Sequence, residues 1–168
     1  MDISILLIDS MLEKFISEKK WVYQAIDQLS EEDIVWHPTL ESNSIANLIS
    51  HIRGTVHQRL ETVFFNVADE RDRDKEFERG LHLSKKEALT LANESFDVII
   101  QILEDVRLKP QLLVSQPHLN MPPLTFSANS NESTLLDMMV QMVREVHNHT
   151  GQIMYIAKMR KGQLEWVY

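Results

Sequence analysis

The chain has 168 residues, 43% hydrophobic and 25% charged, the make-up of one ordinary globular domain with enough material to bury a core. Seventeen basic against twenty-five acidic side chains leave a formal net charge of −8, a surface that repels phosphate backbones and argues against nucleic-acid binding. There is no cysteine, so disulfides, thiolate nucleophiles of the chain itself and cysteine-ligated zinc are all excluded.

The first stretch, "MDISILLIDSMLEKF", lacks the basic leader and small-residue cleavage site of a signal peptide. No apolar run is long enough to span a bilayer, so a cytoplasmic protein with no membrane association is expected. Ile5, Ile8, Leu12, Phe15, Lys19, Val22, Ile26 and Leu29 recur at helical spacing, with Lys19 the one polar break in the stripe. "LSEEDIVWHP" then supplies a turn, and Pro38 bars continuation. Ser42, Asn43 or Ser44 can cap a second helix, whose stripe is Ile45, Leu48, Ile49, Ile52, Val56, Leu60 and Val63.

From Val67 to Leu83 the chain is charged and aperiodic, "VADERDRDKEFERGLHL", which reads as a solvated connection. Ser84 with Glu87 forms a capping box for a third helix, buried through Ala88, Ala92, Ser95, Phe96, Ile99, Leu103 and Val106. Pro110 opens a long irregular segment that holds four of the five prolines. Ser133 or a nearby asparagine caps the last helix, which runs to about Gly162, a natural C-terminal stop. "KMRKG" at its end is the single basic patch, and at a helix C-terminus it is a favourable charge–dipole arrangement. No repeat, low-complexity tract or linker interrupts the chain. The expectation is an all-α four-helix bundle, one domain over residues 1–168.

Phosphate loops, dinucleotide fingerprints and nucleophile elbows need glycines that four in the whole chain do not supply. Chemistry is left to histidines and carboxylates. On the last helix Leu135, Met138, Met139, Met142, Val146, Ile153, Ile156 and Ala157 form the apolar stripe. His149 falls inside it, whereas His147 projects toward the polar surface. Glu145, four residues before His149, stacks one turn away at the edge of the stripe. A hydrogen-bonded core pair of imidazole and carboxylate is one account of them. Metal binding is the other, since an i, i+4 pair offers two donors to one ion and bundle sites are built from facing helices. His51, on the flank of the second stripe, is the candidate third donor, and a surface position suits its spacing equally well. His37, His57, His82 and His118 fit surface or turn roles.

These segments point to a family. "SNSIANLISHIRG" and "HTGQIMYIAKM" closely resemble the DinB/YfiT-like bundles, and "RDRDKEFERG" resembles a subgroup whose function is undefined. The resemblance covers nearly the whole chain. It implies an up-down-down-up four-helix bundle, commonly a homodimer, with a divalent metal held by three histidines. Some such proteins are transferases that use low-molecular-weight thiols on small electrophiles.

Carried over by motif, the second-helix ligand matches His51 and the "HTGQ" ligand matches His149. The remaining family histidine falls on Glu145, a departure that leaves either a His-His-Glu site or a degenerate one. The resemblance tips the balance toward the metal site, with zinc, nickel, iron or manganese as candidate ions. The substrate is expected to be a small molecule, with a low-molecular-weight thiol as partner. The function classes in play are a metal-dependent thiol transferase, a metal-dependent hydrolase using activated water, and a non-catalytic dimeric bundle. The pairs "MM" and "VFF" suggest apolar surface in excess of one stripe, in keeping with a homodimer.

Overall fold

The computed structural model describes residues 2–115 and 134–167, and these are all-helical, with no strand among them. His118 and Ser133 lie outside the described residues. Four long helices carry the core: α1 (Ile3–Asp27), α2 (Ile45–Val56), α3 (Lys85–Leu108) and α4 (Leu135–Lys161). α1 and α2 each pack against both α3 and α4, which is the arrangement of a helical bundle.

Each helix begins where a short polar side chain can take up its orphan amides. Ser44 caps α2 and Asn47 returns the bond, Ser84 and Glu87 do the same for α3, and Thr134 with Asp137 opens α4. α4 stops at Gly162, whose φ of 82° a side chain would resist. Beyond it the tail lies along α1. Gln28 exchanges two hydrogen bonds with the Glu165 backbone, at 2.9 and 2.8 Å, and Gln24 pairs with Val167 in the same way. Arg160 of the "KMRKG" stretch pairs with Asp33 at 2.6 Å and lies over the Trp36 ring, so this arginine is committed to the bundle.

The expected stripes of α3 and α4 are buried throughout. That of α1 needs a correction. Met11, Glu18 and Ala25 are buried, while Leu12 is half-buried and Lys19 reaches outward to Asp97 at 2.5 Å. α1 packs against both α3 and α4, and Glu18 turns toward α4, where it meets His147. Met138 and Met139 are both core residues and contribute no exposed patch. Of "VFF", Val63 and Phe64 are half-buried and Phe65 is exposed.

α2 does not end at Val56. It continues through a π-helical turn, His57–Glu61, into a last turn, Thr62–Phe64. A π turn rotates more slowly per residue and displaces the phase, which is why Leu60 is buried and Val63 only partly. Glu61 anchors the turn, accepting from Arg53 at 3.0 Å and pairing with His57 Nδ1 at 2.8 Å.

The segment 67–83 is not a solvated connection throughout. It folds back on α2 through one helical turn, Arg73–Glu76, capped by Asp72. Glu76 is buried, and Asn47 donates to the Glu76 and Glu78 carbonyls at 2.9 and 3.1 Å. The close approach depends on Gly54, where an added Cβ would lie 1.9 Å from Glu76 Oε1. Alanine in place of a helical glycine ordinarily stabilises by about 1 kcal/mol. Here Gly54→Ala is expected to destabilise by about 1–3 kcal/mol in urea denaturation, because the carboxylate must leave its partners. A gain in stability would show that the loop is free to move.

Candidate metal centre

α2 and α4 face each other across the bundle, and His51 from one meets Glu145 and His149 from the other. One donor atom from each residue can be chosen so that all lie within 4.8 Å of one another. Helical phase separates the two histidines of α4 as expected. The His149 side chain is 15% exposed and His147 68%. His147 points away from the cluster and hydrogen-bonds through Nδ1 to Glu18 of α1 at 2.6 Å. His51 is buried rather than a surface residue.

The hydrogen bonds set the direction of each ring. His51 Nδ1 lies 2.8 Å from Glu76 Oε2, a contact that orients the ring with Nε2 facing the cluster. His149 Nδ1 lies 3.0 Å from the Gln152 side-chain oxygen, which likewise turns Nε2 inward. Both Nε2 atoms converge on Glu145 Oε1, at 3.2 Å from His51 and 3.5 Å from His149. The rings meet edge to face with centroids 4.9 Å apart. Tetrahedral ligands at usual zinc distances lie about 3.3 Å from each other, and the two contacts to Glu145 are close to that spacing. Metal-binding histidines commonly donate their other nitrogen to an oxygen acceptor, and both histidines have such an oxygen beside Nδ1 here.

Glu76 and Arg71 support the site and were not legible as site residues in the sequence. Arg71 donates to Glu76 through Nε and Nη2 at 2.7 and 2.8 Å and to Thr55 and Gln58 at 3.1 and 2.9 Å, and its Nη2 lies 3.2 Å from His51 Nδ1. The two side chains are 6% and 7% exposed, so the pair is nearly out of water. Burial would raise the Glu76 pKa, but Arg71 and His51 overcome it and hold the carboxyl below its ordinary value. Burial pulls His51 down, yet the hydrogen bonds to Glu145 and Glu76 outweigh it and leave the imidazole above its ordinary value. Contacts with His149 and then His51 hold the Glu145 carboxyl far below the usual carboxylate range.

The other histidines stand apart. His57 closes the π turn on Glu61, His37 Nδ1 bonds the Ser42 carbonyl at 2.8 Å, and His82 is exposed. A cavity of about 340 Å³ opens onto the cluster, lined by His51, Glu145, Thr55 and three arginines, Arg59, Arg71 and Arg73.

The sequence model of the family described as "Protein of unknown function (DUF1572)" matches residues 2–167. The chain belongs to this family. DUF1572 is a DinB/YfiT-like family, in keeping with the helical bundle. No curated protein and no solved structure matches the chain. Among the described residues no helix of this DUF1572 protein is long and apolar enough to cross a membrane.

Breaking a buried ion pair by removing one partner leaves the other charge stranded. Arg71→Ala is therefore expected to cost about 3–5 kcal/mol, read from urea denaturation at neutral pH. A loss under about 1 kcal/mol, the range of exposed pairs, would mean that water reaches Glu76.

Proposed function

We propose that this protein is a divalent-metal-dependent enzyme acting on a small molecule, with His51, Glu145 and His149 as ligands of the ion. The observation that carries this reading is the direction of the two imidazoles. Each is tethered through Nδ1 to an oxygen acceptor and turns Nε2 toward the same Glu145 oxygen. A satisfied core pair of one histidine and one glutamate needs only half of that arrangement. Zinc, nickel, iron and manganese all accept mixed nitrogen and oxygen donors. Three protein donors leave room for a substrate, as catalytic sites do and structural sites do not.

When bound, such an ion supplies Lewis acidity that lowers the pKa of a thiol or a water. The likeness to DinB/YfiT-like proteins favours the thiol, and we take the reaction to be transfer between a low-molecular-weight thiol and a small electrophile. The chain has no cysteine of its own, so the thiol is a co-substrate. His51 and His149 keep Nε2 turned inward because Glu76 and Gln152 hold their other nitrogens. The cavity lies within the usual range for a small-molecule pocket, about 300–1,000 Å³.

The test is metal titration, with elemental analysis of protein purified without an affinity tag. Wild type should hold one divalent ion per chain. His51→Ala, His149→Ala and Glu145→Ala should each lose more than the about 10–100-fold expected for an outer partner such as Glu76. His147→Ala should bind as wild type does, and Glu145→His should keep a site with a different metal preference. If Glu145→Ala binds as tightly as wild type, Glu145 is no ligand. If wild type binds nothing while Glu145→His does, the natural site is degenerate. Substrate screens with and without low-molecular-weight thiols then separate transfer from hydrolysis.

We also propose a homodimer joined where α1 meets α4. Leu7, Trp21 and Val140 are 41%, 38% and 56% exposed there, beside a groove of about 370 Å³ lined by Phe15, Trp21 and Val143. Sedimentation at micromolar concentration should give twice the chain mass of 19.6 kDa, and Trp21→Glu should reduce it to one. A wild-type monomer would remove this proposal.

A further inference from the structure

The cavity beside the cluster is positive in a protein that is negative overall. Three arginines and one glutamate line it, against a net charge of −8 for the chain. The arginines are not equivalent. Arg71 is consumed by Glu76, Thr55 and Gln58. Arg73 is exposed and lies over the Phe77 ring, 5.1 Å from its centre. Arg59 differs from both. It is half-buried, and among the described residues its guanidinium has no hydrogen-bond or ion-pair partner.

Holding such a group there is costly. Burial and then repulsion from Arg71 both disfavour the charge, with Glu145 only partly offsetting them. A guanidinium stays protonated under these conditions and keeps five donors in a planar fork. The backbone sustains the arrangement, since Arg59 sits at the centre of the π turn His57–Glu61. In an uninterrupted α-helix, successive i, i+4 positions drift around the axis. The slower rotation of the π turn keeps Arg59 over the cavity that His51 and Thr55 also line.

We propose that this cavity binds a small organic oxyanion, a carboxylate or phosphate group carried by the substrate, with the anion on the Arg59 fork and the rest of the molecule directed at His51 and Glu145. A planar fork matches both anions in two-point contact. That the far end of the molecule reacts there rests on the metal reading of the previous section; the anion site itself does not.

The experiment is calorimetric titration with two probes, inorganic phosphate and succinate, against metal-free and zinc-supplemented protein. The proteins are wild type, Arg59→Gln, Arg59→Lys, Arg73→Gln and, as a remote control, Arg107→Gln. At least one probe should bind wild type without metal, and the tighter of the two identifies the anion class. Arg59→Gln should weaken it by about ten- to a hundredfold, the factor that one or two charge-assisted hydrogen bonds supply. Arg59→Lys should fall between, because it keeps the charge and loses the fork, and Arg107→Gln should bind as wild type does. The same probe should raise the thermal midpoint of wild type and leave that of Arg59→Gln unmoved. Binding that appears only with zinc and ignores Arg59 would overturn the proposal, as would binding of neither probe to wild type. Anion binding at Arg59 in a protein that takes up no zinc would uphold this site while defeating the metal reading.

Discussion

Arg71 and Glu76 meet in two parallel hydrogen bonds at 2.7 and 2.8 Å, and the cavity side of α2 is organised around that pair. Taking two charges out of water is expensive, and their attraction repays it only when the remaining donors and acceptors are also satisfied. They are. Glu76 pairs with His51 as well, and Arg71 also donates to Thr55 and Gln58. The pair therefore ties a charged loop to a helix and, in the same contact, fixes which nitrogen of His51 faces inward. Gly54 supplies the missing side chain that makes the approach sterically possible.

The consequence is a site built in layers from very different stretches of chain. α2 and α4 bring the donors of the cluster together, and the rigidity of helix packing sets their spacing. The loop 67–83 adds the outer carboxylate and its arginine. The π turn after Val56 adds Arg59. His149 and His51 hold the single cavity carboxylate, Glu145, in its ionised form, while the loop and the π turn place arginines around the same cavity. On the opposite flank of α4 the polarity is reversed. There an exposed His147 serves a buried Glu18, one oxygen of which has no hydrogen-bond partner among the described residues.

Two histidines two residues apart illustrate what local physics decides. Helical rotation alone sends His147 and His149 to different sides, and the structure keeps them there, with His149 alone near His51. Phase was equally sufficient for the cores of α3 and α4. It was insufficient for α1, where Glu18 is buried against His147 of α4 while Lys19 reaches outward to Asp97.

Sequence by itself determined the long helices, the Ser84–Glu87 capping box, the bundle and the cluster candidates His51, Glu145 and His149, because these follow from periodicity, local hydrogen bonding and motif likeness. The cap of α4 is Thr134 rather than the expected Ser133 or an asparagine. Tertiary structure alone decided that Glu76 and Arg71 belong behind His51. "ERDRDKEFERG" has no periodicity to reveal a buried face, and charged residues are exposed unless a partner distant in sequence neutralises them. That partner is on α2, and Gly54 leaves room for the contact in a way that only the folded chain expresses. The placement of Arg59 has the same origin. The π turn that aims it is stabilised by Glu61 bonded to Arg53 and His57, side chains whose convergence no one-dimensional pattern records.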